Sequence, residues 1–152
     1  MYKSLLKITI ICLLAFSGHY ASGQKTDPAI IKDILKETNQ LRKSNGKKEL
    51  VLNEQLNQIA GEHSADMAAG RVAFSHDGYN ERVEKAKKGL NHVKGFFAEN
   101  VAFGQKTAYH LVKDWKNSPG HLTNMLGNYT YIGIGVATDK NGRLYYTQLF
   151  AR

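Results

Sequence analysis

Cysteine is nearly absent from this 152-residue sequence, which contains only Cys12. A single cysteine cannot form an intrachain disulfide, so a disulfide-stapled framework is excluded. The chain is short for two domains, and it shows no internal repeat, linker or low-complexity segment. With 42% hydrophobic and 22% charged residues, its composition is that of a globular domain and not of a disordered chain. We therefore expect one domain that is stabilised by packing or by a ligand.

The N-terminal apolar run, residues 8–16, is too short to span about 30 Å of hydrocarbon as a stable anchor. Its position after two lysines is that of the apolar part of a secretory signal peptide, which we place at residues 1–23. Cleavage after Gly23 puts Ala21 and Gly23 at the two positions that the peptidase reads. The sequence thus predicts a secreted chain without cysteine. An uncleaved membrane anchor is the alternative.

Most catalytic motifs are absent. No Walker loop, HExxH zinc helix or GxSxG nucleophile elbow occurs. Gly133-Ile134-Gly135 lacks the third glycine of a dinucleotide fingerprint, and no predicted helix follows it to receive a phosphate. Without cysteine in the secreted chain, thiol nucleophiles and thiolate zinc sites are excluded as well.

Caps and periodicity predict five helices. The first helix starts at Asp27-Pro28 and ends at Gly46, and the second starts at Asn53 and ends near Gly70. The third is a charged helix at residues 80–88. The fourth starts at a Thr107 cap and ends near Trp115, and the fifth starts at Ser118-Pro119 and ends at Gly127. Strands are predicted at residues 96–103, 131–138 and 144–150, the last two flanking a hairpin turn.

Gly133 and Gly135 leave one face of their strand empty, which indicates close backbone packing. Helices on both sides of these strands predict an α+β fold, a three-layer α-β-α sandwich with a mostly antiparallel central sheet. His63 lies on the apolar face of the second helix, and we interpret it as a locally hydrogen-bonded core histidine.

Three polar residues stand where packing does not require them: His76 in a turn, Glu99 inside an apolar strand and His121 near the start of the fifth helix. A buried carboxylate is costly unless it is paired. Two imidazoles and a carboxylate suit a divalent cation such as Zn²⁺. The positive end of the helix dipole would favour neutral His121. Three unrelated structural residues are the alternative interpretation.

Several motifs occur in an order that resembles the CAP superfamily, the SCP-domain family of cysteine-rich secretory proteins, antigen 5 allergens and pathogenesis-related proteins, in its short bacterial branch. The motifs are Phe74-Ser75-His76, AENVA at 98–102, Trp115 followed by SPGHLTNML at 118–126, YIGIGV at 131–136 and YTQLF at 146–150. The resemblance covers about residues 33–151, after an N-terminal segment at 24–32 that leads into the first helix.

The resemblance implies an α-β-α sandwich with a cleft of two histidines and two acidic residues, which in some members binds zinc or another divalent cation. His76, Glu99 and His121 match three of these positions, and Asn124 belongs to the same cleft. The fourth, acidic position falls near Ser118, where this chain has Asn117-Ser118.

The favoured hypothesis is a non-enzymatic secreted binding module whose cleft takes a divalent cation, and whose further ligand is a lipid or a cell-envelope component. The alternative is a metal-assisted hydrolase in which Glu99 is the general base on a metal held by His76 and His121. The missing fourth acid disfavours this second hypothesis. A third hypothesis is an interaction protein in which the three residues only form a polar network.

The net charge of +8 at pH 7 includes a lysine cluster around the third helix, formed by Lys85, Lys87, Lys88 and Lys94. Such a cluster suits weak contact with an anionic surface. An ordinary solvated helix face is the alternative. Nucleic acid is not an expected partner, because no nucleic-acid-binding motif is present.

Overall fold

The computed structural model describes residues 28–90, 93, 95 and 97–152. Within these residues the elements are α1 (Pro28–Ser44), β1 (Val51–Leu52), α2 (Glu54–Ala68), α3 (Tyr79–Gly89), β2 (Phe97–Phe103), α4 (Ala108–Lys116), α5 (Pro119–Met125), β3 (Tyr131–Thr138) and β4 (Leu144–Ala151). The five predicted helices and three predicted strands are therefore present. The predicted signal peptide, its cleavage site and Cys12 lie outside the described residues.

The helix starts follow from the capping residues. Asn53 Oδ1 accepts a hydrogen bond from the backbone N–H of Leu56 at 3.0 Å, and Thr107 Oγ1 accepts one from that of His110 at 3.2 Å. Such bonds satisfy N–H groups that the first turn of a helix leaves without a partner. Ser118 also occupies the cap position of its helix, but its side chain makes no capping hydrogen bond. For α5 the start therefore depends on Pro119, whose fixed φ suits the first helical position.

The four strands form a sheet in the order β1-β3-β4-β2. β3 and β4 are an antiparallel hairpin, and β2 pairs antiparallel with β4 from Phe97↔Ala151 to Phe103↔Tyr145. β1 runs parallel to β3, so the sheet is mixed, although most of its pairing is antiparallel as predicted. β1 has only two residues, and this is why periodicity gave no sign of it.

Two apolar clusters lie on opposite faces of the sheet. One joins α1, α4 and α5 to the strands and contains Ile34, Trp115 and Phe150. The other joins α2 and α3 to the strands and contains Leu56 and Leu149. The three-layer α-β-α sandwich is confirmed.

Helix α2 packs directly on the backbone of β3 at the two predicted glycines. A Cβ atom at Gly133 would lie 2.2 Å from the backbone carbonyl carbon of Leu56, and one at Gly135 would lie 2.1 Å from that of Ala60. Neither site has room for a side chain, so glycine sets the distance between helix and sheet. No helix within the described residues is long and apolar enough to cross a membrane.

Candidate functional site

Glu99 lies in the middle of β2 with its side chain only 1% exposed. Arg82 of α3 binds its carboxylate through two nitrogens: Nε donates to Oε2 and Nη2 donates to Oε1, both at 2.7 Å. This is the paired arrangement in which arginine matches carboxylate geometry best. The cost of burying Glu99, expected from the sequence, is thus offset by an arginine that the sequence analysis did not identify.

The turn that carries His76 is held by the same arginine. Arg82 Nη1 donates to the carbonyl oxygen of Asp77 at 2.8 Å, and Nη2 lies 3.4 Å from that of His76. Ser75 Oγ accepts from the N–H of Asp77 at 3.1 Å, and Gly78 follows with a φ of +75° that glycine adopts without strain. Arg82 therefore positions both the carboxylate and the histidine of the site.

His76 contacts Glu99 through Nδ1, which lies 2.9 Å from Oε1. A carboxylate paired with arginine can only accept hydrogen bonds, so Nδ1 is the protonated nitrogen of this ring. In the neutral imidazole, Nε2 then carries the free lone pair. The side chain of His76 is 52% exposed, so this ring remains accessible to a ligand.

His121 lies in α5, where its ring centroid is 6.3 Å from that of Trp115. Burial lowers the pKa of His121, and the neighbouring His76 lowers it further. The lowered pKa favours the neutral ring, in the direction that the sequence predicts, and burial is its main cause. The influence of His76 on this pKa indicates that the two rings are close enough to interact electrostatically.

Asn124 of α5 contacts β2, the strand that carries Glu99. Its Nδ2 donates to the carbonyl oxygen of Glu99 at 3.0 Å and to Oδ1 of Asn100 at 2.9 Å. Asn100 in turn donates to the carbonyl oxygen of His121 at 3.2 Å. These amides join α5 to β2, and with it His121 to Glu99.

His63 is buried in α2, and its Nε2 lies 3.1 Å from the carbonyl oxygen of Ser75. The predicted core histidine with a local hydrogen bond is therefore present. Ser75 directly precedes His76 in the chain, so His63 supports the turn that carries His76.

A metal ion at this cleft would require several His, Asp or Glu side chains around one point. Within the described ranges, no three His, Cys, Asp or Glu side chains are grouped so that they could hold a metal ion. Both oxygens of Glu99 already accept hydrogen bonds, and the fourth family position holds Asn117-Ser118 without a carboxylate. As they stand, the described side chains therefore do not assemble the predicted three-ligand set.

The same contacts bear on Glu99 as a general base. A base must reach the proton of a water or substrate. Glu99 is nearly inaccessible and receives three hydrogen bonds from Arg82 and His76. Its geometry is that of a structural partner of His76.

The lysine cluster is partly neutralised. Lys85 forms an ion pair with Glu62, and Lys87 forms one with Glu84 at 2.7 Å. Lys88 is exposed, and Lys94 lies outside the described residues. Two of the four lysines thus have acidic partners, and contact of the cluster with an anionic surface stays a prediction.

A cavity of about 360 Å³ lies away from the histidines, between α1 and α4. Leu41, Val112 and Tyr109 contribute apolar surface, and Lys113 and Lys116 stand on the α4 side. This cavity could not be predicted from the sequence, because its lining comes from two helices that are distant along the chain.

Arg82 is the main residue that the sequence analysis missed. It lies in the charged stretch of α3, where a basic residue is typical of a solvated face, and its partner is 17 positions away. The one available signal was Glu99 itself, because a buried carboxylate requires a cationic or hydrogen-bonding partner.

A family model and a curated relative both match most of this chain. The family model described as "CAP: Cysteine-rich secretory protein family" matches residues 35–150. YkwD, an uncharacterized protein of Bacillus subtilis, is 33% identical over 135 residues, which are 86% of this chain but only 51% of YkwD. This chain thus spans about half the length of that curated relative.

Two solved structures share the fold. An outer surface protein from Borrelia burgdorferi has a TM-score of 0.72 at 21% identity, covering 86% of this chain and 98% of that one. An extracellular protein containing an SCP domain from Bacillus anthracis has a TM-score of 0.65 at 27% identity, covering 86% of this chain and 45% of that one.

Proposed function

This chain belongs to the CAP family of cysteine-rich secretory proteins, and on that premise we propose that it is a non-enzymatic binding domain that acts outside the cytoplasm. Its cleft takes a divalent cation on His76 and His121. The N-terminal apolar run and the similarity to proteins named as extracellular or outer-surface support the location.

The observation that carries the proposal is the complete engagement of Glu99. Arg82 occupies both carboxylate oxygens, so Glu99 is removed from proton transfer and serves to orient His76 through Nδ1. Carboxylates that fix the tautomer of a metal-binding histidine in this way are common around metal sites. Nε2 of His76 is then available together with the neutral ring of His121.

The donor chemistry favours a borderline metal. Two imidazoles without a free carboxylate suit Zn²⁺, Ni²⁺ or Cu²⁺, whereas Mg²⁺ and Ca²⁺ require oxygen ligands. A bound cation would supply a positive centre with open positions for a further ligand. We therefore expect selectivity for Zn²⁺ over Mg²⁺.

Calorimetric titration of the cleaved protein with ZnCl₂ tests this proposal. The wild type is expected to bind one Zn²⁺, and His76→Ala and His121→Ala are each expected to weaken binding at least tenfold. His110→Ala, which removes an exposed histidine of α4, is the matched control and should bind as the wild type does. Absence of zinc binding, or equal binding of Mg²⁺, would refute the cation site.

Enzymatic function has its own test. Hydrolysis of peptide, ester and glycan panels is expected to be absent in the zinc-loaded protein. Activity that disappears in Glu99→Gln, with the fold retained by circular dichroism, would establish the hydrolase instead.

The location is tested by N-terminal sequencing of the protein recovered outside the cytoplasm. We expect a chain that begins at Gln24, as cleavage after Gly23 requires. Recovery of uncleaved chain in the membrane fraction would contradict it.

For the lipid ligand we propose the cavity between α1 and α4. The apolar part of its lining suits an acyl chain, and Lys113 and Lys116, opposed in the lining by the carboxylate of Glu37, suit an anionic headgroup. Displacement of a fluorescent fatty acid should weaken at least fivefold in Lys113→Glu/Lys116→Glu, and Lys140→Glu on the distant hairpin is the control. If Lys113→Glu/Lys116→Glu binds the fatty acid as tightly as Lys140→Glu does, the lipid does not bind in this cavity.

A further inference from the structure

A second exposed surface lies beside the histidine cleft. Phe74 and Phe103 are 46% and 41% exposed, although their rings contact each other edge to face with centroids 4.7 Å apart. Phe103 also stacks on its cross-strand partner Tyr145, at 5.7 Å between centroids. Exposed aromatic rings in mutual contact are more typical of a binding surface than of a solvated one.

This surface is continuous with the cleft. Phe74 precedes His76 by two residues, and Phe103 lies on the same face of β2 as Glu99 because side chains alternate along a strand. A ligand on the aromatic rings would therefore lie next to the proposed cation site, without being part of it.

Positive charge flanks the rings. The guanidinium carbon of Arg143 is 5.4 Å from the ring centroid of Phe103, and Arg143 and Lys106 both line a cavity of about 270 Å³ between the β2–α4 loop and the β3–β4 hairpin. Neither cation forms an ion pair with any side chain in the part of the chain that the structure describes. Among those same residues, no acidic side chain lines the cavity.

The nearest hairpin carboxylate is already engaged in the turn. Asp139 Oδ1 accepts from the backbone N–H groups of Asn141 at 2.8 Å and Arg143 at 2.9 Å. Asp139 therefore shapes the turn and leaves the guanidinium of Arg143 with its hydrogen-bond donors available.

The same cavity is lined by a residue with an unsatisfied acceptor. Gln105 Oε1 is buried and has no hydrogen-bond partner among the described residues, while its Nε2 donates to Asp114 at 3.0 Å. A buried acceptor without a donor is costly, so this part of the cavity wall is not fully satisfied by the protein itself.

We propose that Phe74, Phe103, Tyr145, Arg143 and Lys106 form a binding surface for an anionic sugar, here called the aromatic-cationic surface. A carboxylate-bearing saccharide matches the two features of this surface: it has a ring face for the aromatic side chains and an anionic group for Arg143 and Lys106. This inference goes beyond the cation site of the proposed function and does not depend on it.

The probe is trigalacturonate, titrated into the ¹⁵N-labelled cleaved protein and followed by NMR, with neutral galactotriose as the matched sugar. We expect trigalacturonate to shift the amide signals of residues 104–106 and 141–144. Its affinity should fall at least fivefold between 0.05 and 0.5 M NaCl, because the contact is ionic. Galactotriose should bind at least tenfold more weakly.

Two variants and a control localise the binding. Phe103→Ala and Arg143→Gln should each weaken trigalacturonate binding at least fivefold, and Arg143→Gln lies on an exposed hairpin where the fold tolerates it. Tyr109→Ala removes an exposed aromatic ring that also has a lysine beside it, at 5.9 Å from Lys113 Nζ, and should leave binding unchanged.

Absence of these shifts, equal binding of the neutral sugar, or unchanged binding by Arg143→Gln would overturn the proposal. Zinc titration of Arg143→Gln should match the wild type. Failure of zinc binding in the wild type would therefore refute the cation site alone.

Discussion

Arg82 holds Glu99 from a different secondary-structure element, through two nitrogen–oxygen contacts of 2.7 Å. The pair joins α3 to β2, and the same guanidinium binds the turn between α2 and α3. One side chain thus fixes the relative positions of three segments that line the cleft.

Replacement of Arg82 by Met should strongly destabilise the fold, because it leaves the Glu99 carboxylate buried without its cation. We expect the free energy of unfolding to fall by about 3–5 kcal/mol. Urea denaturation measures it. Arg71→Ala breaks an ion pair with Asp66 whose side chains are 60% and 41% exposed, and should change the free energy of unfolding by less than about 1 kcal/mol.

The double variant Arg82→Met/Glu99→Leu separates pairing from packing. It should be more stable than Arg82→Met alone, since no unpaired charge stays buried. A double variant as unstable as the single one would show that the lost contacts to the turn, and not the charge of Glu99, dominate.

Gly133→Ala should destabilise the sheet, because its methyl group would meet the α2 backbone at 2.2 Å. Backbone atoms cannot move aside as a flexible side chain can, so we expect a loss of about 3 kcal/mol. Gly61→Ala is the matched control: a Cβ atom there has open space within α2, and we expect a gain of up to about 1 kcal/mol. Equal effects of the two substitutions in thermal unfolding would show that backbone contact does not hold α2 on β3.

Stability should decrease as the pH falls below 6.5, and His63 contributes to this. Burial lowers the pKa of His63 and the charge of Arg82 lowers it further, against smaller opposing effects of Glu99 and Asp66. The unfolded state, with a histidine pKa of about 6.5, therefore binds more protons between the two pKa values, and the free energy of unfolding decreases as the pH falls through that interval.

Urea midpoints at pH 7.5 and 5.5 measure this dependence, and His63→Gln should reduce the difference between them. Ring-proton NMR titration checks the cause directly. A folded-state pKa for His63 at or above 6.5 would contradict the prediction.

Arg42 should be required for the C-terminal end of α5. It is 2% exposed and donates to the carbonyl oxygens of Lys48 at 2.8 Å, Met125 at 2.6 Å and Gly127 at 2.9 Å. Arg42→Met leaves these acceptors without a donor, and we expect a loss of more than about 2 kcal/mol. The exposed neighbour Lys43→Met should be nearly neutral. A loss of less than about 0.5 kcal/mol for Arg42→Met in urea denaturation would contradict this role.

Local chemistry explains which parts of the structure were predictable. Asn53 and Thr107 cap helices through bonds to residues three positions away, so a short window contains both partners. Gly133 and Gly135 were interpretable because a strand without side chains on one face indicates a close neighbour. The family motif also located His76, Glu99 and His121 in one region.

The remaining features depend on contacts between distant segments. The pairing of Arg82 with Glu99 and the parallel pairing of Val51 with Tyr131 join elements whose neighbours are chosen by the tertiary fold. The pKa of His121 is a further example, since its lowering depends on burial and on His76, which lies far away along the chain. Whether Glu99 is free to bind a metal likewise depends on its hydrogen bonds with Arg82 and His76, which come from distant parts of the chain.

The amide of Asn124 has a consequence for solubility. β2 is an outer strand of the sheet, and unpaired backbone groups on an outer strand can recruit a strand from another molecule. By donating to the carbonyl oxygen of Glu99, Asn124 occupies an acceptor that an incoming chain would otherwise use. Helix α5, which carries His121, thereby also hinders the pairing of this edge with a strand from another molecule.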